Sequence, residues 1–189
     1  MPDINILERR TLSDHKAKLE SIRFENTQNG ETTVQEKVLF HRPPAASILL
    51  YDPERKTAIL TRQFRLPVYL NQKDHILEAC AGLLEEGELP EHAIIREVEE
   101  ETGFRISEIE KVAEGYSSPS TFTEYVHFFV GKYSPDLRIS KGGGLKEEGE
   151  NIDVIELSAA EIRQKINRKE IKDIKTLVLL QHALLNDLL

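Results

Sequence analysis

Glu97, Glu100 and Glu101 stand close together in a helix-forming stretch, and their spacing determines what they can do. On a wheel advancing about 100° per residue, Glu101 falls near about +40° and Glu100 near about −60° of Glu97, while Glu99 points away at about 200°. Three carboxylates therefore share one face. On the same wheel Ala93, at about −40°, leaves that face free of bulk, and Ile94, Val98 and Ile95 fill a sector of about 60° to 160° that can dock on a sheet. Like charges at these spacings repel and weaken a helix unless a positive charge sits among them. A hard divalent cation supplies one. Mg²⁺ takes oxygen ligands, keeps several waters and is commonly shared between carboxylates and substrate phosphates, with Mn²⁺ a possible substitute. Arg96 can pair with Glu100 and orient it, leaving the other acids for metal. Gly82 and Gly87 let the chain turn tightly after an apolar run, which would bring the Ala81 carbonyl toward the same ion. Taken singly, a Glu-rich helix face is ordinary solvated surface.

The joint pattern is more specific. Gly82, five residues, Glu88, seven residues, Arg96-Glu97, aliphatic Val98, one residue, Glu100-Glu101, one residue, Gly103 and apolar Phe104 fill every slot of the Nudix box. The chain resembles a Nudix hydrolase. Pro119, in Tyr116-Ser117-Ser118-Pro119, is similar to the proline that marks the ADP-ribose and nucleotide-sugar pyrophosphatase branch. Further matches to that branch are Arg62-Gln63-Phe64-Arg65, Glu78-Ala79-Cys80-Ala81-Gly82-Leu83, Thr123-Glu124 with His127-Phe128-Phe129, Gly142-Gly143-Gly144, and Asp173 with Lys175-Thr176. Two departures are Ser120 where the family's Ser-Pro-Gly loop has glycine, and a thinner acidic run at Glu148-Gly149-Glu150.

The resemblance implies a metal site made by the Ala81 carbonyl, Glu97, Glu101 and Glu150, with Glu100 nearby, and substrate contacts from Arg65, Gly82, Leu83, Glu124 and Lys175. Arg65 offers a planar fork for phosphate or a stacking surface, Lys175 a point charge, and Glu124 an acceptor for sugar hydroxyls or metal-bound water. The family's basic contact from a partner chain is matched only by Lys37, and its pairing of N-terminal strands between subunits implies a swapped homodimer. The implied reaction is in-line attack of water on a nucleoside diphosphate sugar, GDP-mannose giving GMP and mannose 1-phosphate first, ADP-ribose giving AMP and ribose 5-phosphate second. Glu150 or Glu148, on a loop able to close, is the expected base, with Glu100 as a further catalytic acid group. A noncatalytic nucleotide-sugar sensor is the competing class, and the complete set of box acids speaks against it.

The elements that must carry these residues follow from periodicity. Residues 5–12, 19–25 and 33–40 read as strands, the last two joined through Thr27-Gln28-Asn29-Gly30, a hairpin signal. After His41-Arg42-Pro43-Pro44, residues 47–51, 58–64, 75–81, 111–115, 124–130 and 152–155 read as a mixed, half-buried sheet. Helices are expected at 90–102, with Pro90 early and Gly103 as C-cap; from the capping box Ser158-Ala159-Ala160-Glu161 to about Asn167; and at 173–188, from an amphipathic period. Gly142-Gly143-Gly144 with the acids that follow reads as a flexible loop. The expected fold is α+β, a Nudix-type α/β/α sandwich with a mixed sheet, organised as an N-terminal β meander at 1–42 and a Nudix domain at 43–189.

Composition sets the outer bounds. The 189 residues carry 25 Lys+Arg against 33 Asp+Glu, a net charge of −8, with 39% hydrophobic residues. That is enough chain for a core of its own. Cys80 is the single cysteine, which excludes an internal disulfide and a cysteine-based zinc site and favours a reducing cytoplasm. His75, His92 and His127 lack zinc or triad spacing. A pI near 5.4 argues against nonspecific nucleic-acid binding. The longest apolar stretches, 45–50 and 177–180, are too short to span a bilayer, and the N-terminus shows no leader.

Overall fold

Asn29 and Gly30 both take left-handed backbone angles, φ 53° and 82°, the geometry a tight hairpin needs. They join β2 (Lys18–Gln28) to β3 (Glu31–Phe40), and β1 (Asp3–Asp14) pairs antiparallel with β2 on its other edge. The computed structural model describes residues 3–15 and 17–189, the Glu148 side chain excepted. The three strands belong to a smaller unit, Met1–Pro44 with Gly115–Tyr125. Phe40 ties the two segments of that unit together, its N–H donating to the Thr121 carbonyl and its carbonyl accepting from Thr123. Within the sheet Glu20 is buried and bound by Arg9, Lys18 and His41, which hold its carboxyl below the ordinary range, Lys18 foremost. β1 is exposed along its whole length, including the apolar Ile4, Ile6, Leu7 and Leu12.

The larger unit, Ala45–Glu114 with Val126–Leu189, contains the expected mixed sheet. β4 (Ala45–Asp52) is buried at every position, as a central strand covered on both faces must be. It pairs antiparallel with β5 (Thr57–Gln63), which leads into α1 (Leu66–Gln72). The 75–81 run divides into β6 (Ile76–Glu78), paired with β5, and β7 (Cys80–Leu83), paired with β4. Three hydroxyls stitch this step between strands. Thr61 donates to the Glu78 carbonyl, Ser47 to the Cys80 carbonyl, and Thr176 accepts from the Ala79 N–H. Next come α2 (Pro90–Glu97), β8 (Ile109–Tyr116), β9 (Tyr125–Lys132), β10 (Asp153–Ser158), α3 (Ala159–Asn167) and α4 (Ile174–Leu185). β9 runs parallel to β4, β10 antiparallel to β5, and the order is β10-β5-β4-β9-β8.

Strand alternation divides the core between the two faces of the sheet. Leu49, Tyr51, Leu60 and Val130 pack with Ile162, Leu179, Leu180 and Ala183 of α3 and α4. Ile48, Leu50, Ile59 and Phe129 pack with Ile94 and Val98 on the other side. This is the expected α/β/α sandwich. The capping box at Ser158 and Glu161 is formed, and Asp173 caps α4 by accepting from Thr176.

Candidate metal centre and active site

The 90–102 helix does not keep one register. It is α-helical through Glu97, then a π turn over Val98–Thr102 that ends at Gly103. Fully burying Ile94 and Val98 contributes about 1.5 to 3 kcal/mol each and fixes the helix on the sheet. Ile95, expected in the same sector, is only half-buried. The acids then divide as the wheel predicts. Glu99 turns outward to pair with Arg105 at 2.9 Å, and Glu101 turns inward until only 2% of it is exposed.

Glu101 is the centre of the site. Its Oε2 is buried with no hydrogen-bond partner. Burial, then the charges of Glu97 and Glu150, push its carboxyl up to about 8, against a hydrogen bond from the Cys80 thiol and the charge of Arg65. Burial also raises Glu97, opposed by Arg96 and reinforced by Glu100 and Glu150. Gly82, on β7, lies so close to Glu97 that a Cβ there would overlap its carboxylate. The neighbouring Cys80 thiol is raised well above its ordinary value by burial and by Glu101, which keeps it protonated.

Arg96 organises the outer part of the cluster. Its Nη1 donates to Glu97 at 3.0 Å and to Glu100 at 3.2 Å, while Nε and Nη2 both donate to Glu88 at 3.3 Å. Glu88 also accepts from the Glu85 N–H at 3.0 Å, closing the turn that carries Gly87. The expected Arg96–Glu100 pair is thus present, and one guanidinium serves three carboxylates.

Glu150 approaches from the loop before β10. It accepts from the Leu145 N–H at 3.0 Å, and its charge raises both Glu97 and Glu101. The Glu148 side chain lies outside the described residues. Arg65 is the N-cap residue of α1, and its Nε donates to Glu78 at 3.0 Å, a pairing with a buried acid that the sequence reading missed. Beside Arg65 and Glu150 opens a cavity of about 280 Å³, lined also by Gln63, Phe64, His75 and Asn151.

The structure thus brings Gly82, Glu97, Glu100, Glu101, Glu150 and Arg65 into one neighbourhood, with Ala81 beside Gly82 on β7. Leu83 ends the same strand, opposite Ala45. Lys175 sits in the first turn of α4 and pairs with Asp173 at 2.7 Å rather than with a member of the cluster. Glu124 and Lys37 belong to the smaller unit, where Glu124 pairs with Arg42 at 3.0 Å and Lys37 is exposed on β3.

These residues suit a hard divalent cation. A buried carboxylate oxygen without a partner, crowded by two further carboxylates, is a site whose like charges a cation would neutralise. Among the described residues no three His, Cys, Asp or Glu side chains are drawn into a closed ligand set, and Arg96 supplies the local positive charge.

Comparison with known proteins gives the geometry a context. A model of the NUDIX domain matches residues 41–177. A GDP-mannose pyrophosphatase of Pectobacterium atrosepticum is 43% identical over 185 residues, covering 96% of this chain and 94% of that protein. A second, from Cronobacter sakazakii, is 36% identical over 190 residues and covers 99% and 98%. The crystal structure of an ADP compounds hydrolase superposes with a TM-score of 0.71 at 21% identity, over 95% of this chain and 90% of that one, a likeness of fold.

Proposed function

The chain belongs to the NUDIX family, and from that premise we propose that it hydrolyses the diphosphate bond of GDP-mannose, giving GMP and mannose 1-phosphate. It is a Nudix pyrophosphohydrolase acting on nucleotide sugars. The observation that carries the reading is Glu101, buried with an unpartnered oxygen among Glu97 and Glu150 beside the cavity at Arg65. Glu97, Glu101, Glu150 and the Ala81 carbonyl would hold Mg²⁺, or Mn²⁺ in its place, with Glu100 nearby. When bound, the ion offsets the charge of the diphosphate and makes water a stronger nucleophile at neutral pH.

The chain's own groups do the rest. Arg65, its Nε already on Glu78, has a fork that suits a phosphate oxygen, and Gly82, Leu83 and Lys175 are the further substrate contacts of the same unit. Glu150, with Glu148 as the alternative, takes the proton from the attacking water as the phosphorus–oxygen bond to the leaving phosphate breaks. Arg96 keeps Glu97 and Glu100 in place without touching substrate.

Two copies form the working unit in this reading, with residues 1–42 exchanged between them, residues 43–189 as the hydrolase domain and Lys37 reaching the partner's site. The exposed apolar residues of β1 support it. Among the described residues no helix is long and apolar enough to cross a membrane, and the lone, buried Cys80 suits a reducing cytoplasm.

A panel of GDP-mannose, ADP-ribose, ADP-glucose and UDP-glucose with Mg²⁺, its products identified by mass, tests the assignment. GMP with mannose 1-phosphate as the dominant pair supports it. A dominant AMP and ribose 5-phosphate pair would move the assignment to ADP-ribose, and no turnover of any member would favour a sensor.

A further inference from the structure

The stretch Gly142-Gly143-Gly144, which reads in the sequence as a loose loop, lies against the end of the box helix. The Gly143 N–H donates to the Glu101 carbonyl at 2.9 Å and the Gly144 N–H to the Glu100 carbonyl at 3.1 Å. These are carbonyls at a helix end, which need partners from outside the helix. On its other side the strap meets the loop of Glu150. The Gly143 carbonyl accepts from the Ile152 N–H at 3.2 Å, the Glu150 N–H donates to the Leu145 carbonyl at 3.2 Å, and the Leu145 N–H donates to the Glu150 carboxylate.

Both contacts exclude a side chain. A Cβ on Gly142 would strike the Glu101 carbonyl and lie 2.8 Å from the Gly103 nitrogen, and one on Gly144 would strike the Glu150 carboxylate. Both glycines also hold positive φ, 66° and 76°, a conformation that L side chains resist. An unbroken path of backbone hydrogen bonds therefore runs from the residue carrying the helix carboxylate to the residue after the loop carboxylate's neighbour.

We infer that Gly142 and Gly144 are positioning residues, whose missing side chains set the separation between Glu101 on the helix and Glu150 on the loop. The inference rests on the hydrolase reading for its consequence, because that separation matters only if both carboxylates act on one diphosphate. A strap of backbone suits this task better than side chains, since it has no rotamers to rearrange as charge gathers between the two acids.

The test compares Gly142→Ala and Gly144→Ala with Gly30→Ala, which carries the same left-handed strain at a hairpin with no atom near its Cβ. A displacement of order 1 Å at a reacting group lowers turnover by about 100-fold. Both strap variants are expected to lose about that factor in kcat on GDP-mannose, to keep KM within about twofold, and to need more Mg²⁺ for half-activation. In metal-free protein, hydrogen exchange at Gly143, Gly144 and Ile152 should quicken in Gly142→Ala, whose melting temperature should fall further than that of Gly30→Ala because its Cβ meets backbone, while that of Gly144→Ala should stay close to Gly30→Ala. Gly144→Ala, whose Cβ has the Glu150 and Ile152 side chains as its nearest neighbours, guards against a fold failure in Gly142→Ala. Wild-type-like kcat in both variants, or loss of the folded state in both, overturns the inference. A wild-type protein without turnover of any nucleotide sugar would instead defeat the hydrolase reading, and the exchange measurement would still decide whether the strap holds the loop.

Discussion

The carboxylate of Glu97 occupies the space that a side chain on Gly82 would need. Backbone and acid thus approach each other more closely than any residue but glycine allows. Gly82→Ala must turn Glu97 away, and kcat on the nucleotide sugar should fall by about 100-fold. The altered residue lies near the end of a short strand, so the far-ultraviolet spectrum should be unchanged. Full activity in this variant would show that Glu97 does not need its observed position.

Arg96 is the cation that Glu88, Glu97 and Glu100 share. Arg96→Met leaves three carboxylates without it and removes charged hydrogen bonds worth about 2 kcal/mol in sum. In a chain of this length such a loss lowers the melting temperature by roughly 4 to 8 °C. Added Mg²⁺ should recover part of that loss by giving the acids another cation. Arg96→Lys should recover less than the native residue, since an ammonium group cannot present the flat fork that meets Glu88 twice.

Glu101 gives the metal-free protein a pH dependence of definite sign. Burial and its acidic neighbours raise the carboxyl to about 8, from an ordinary 4.5. The folded state therefore binds that proton more tightly than the unfolded state. The stabilisation is complete below about pH 4.5 and is lost as the pH rises through about 8. Thermal melting without metal should show this decline, and Glu101→Gln should flatten it. The stabilisation gained from Mg²⁺ should grow across the same window, because at higher pH the ion displaces less proton.

β1 leaves Ile4, Ile6, Leu7 and Leu12 each more than two-fifths exposed, an apolar display unusual for a strand facing only water. Light scattering should find a mass near twice the 21.6 kDa of one chain. A doubly charged variant, Ile4→Glu with Ile6→Glu, should shift the protein toward monomer. A single-chain mass for the unaltered protein would remove the swapped dimer from the account.

The box was legible because its chemistry is local. Arg96, Glu97, Glu100 and Glu101 lie within one helix, so their spacing alone placed Glu99 outside and the others together. The Asn29-Gly30 hairpin and the Ser158-Glu161 capping box were legible for the same reason. The split of 75–81 was not, because Ile76–Glu78 and Cys80–Leu83 look alike in apolar content and differ only in which strand they meet. α1 was missed because it is short, follows an extended Arg65 and buries none of its residues. The π turn has no signature in residues 98–102, since its register depends on docking Ile94 and Val98 and on Gly103 beyond. Gly142-Gly143-Gly144 carried the right residues but the wrong inference: glycines that suggest freedom in a sequence can equally mark where two backbones must touch.

In the proposed reaction Glu97, Glu101 and Glu150 would hold a divalent ion against the diphosphate of a nucleotide sugar. Phosphorus NMR of GDP-mannose mixed with the protein tests it most directly, with Mg²⁺, with a chelator, and with Glu101→Gln shown to be folded. Signals of GMP and mannose 1-phosphate are expected in the first case and an intact diphosphate in the other two. Equal product formation in all three would contradict it.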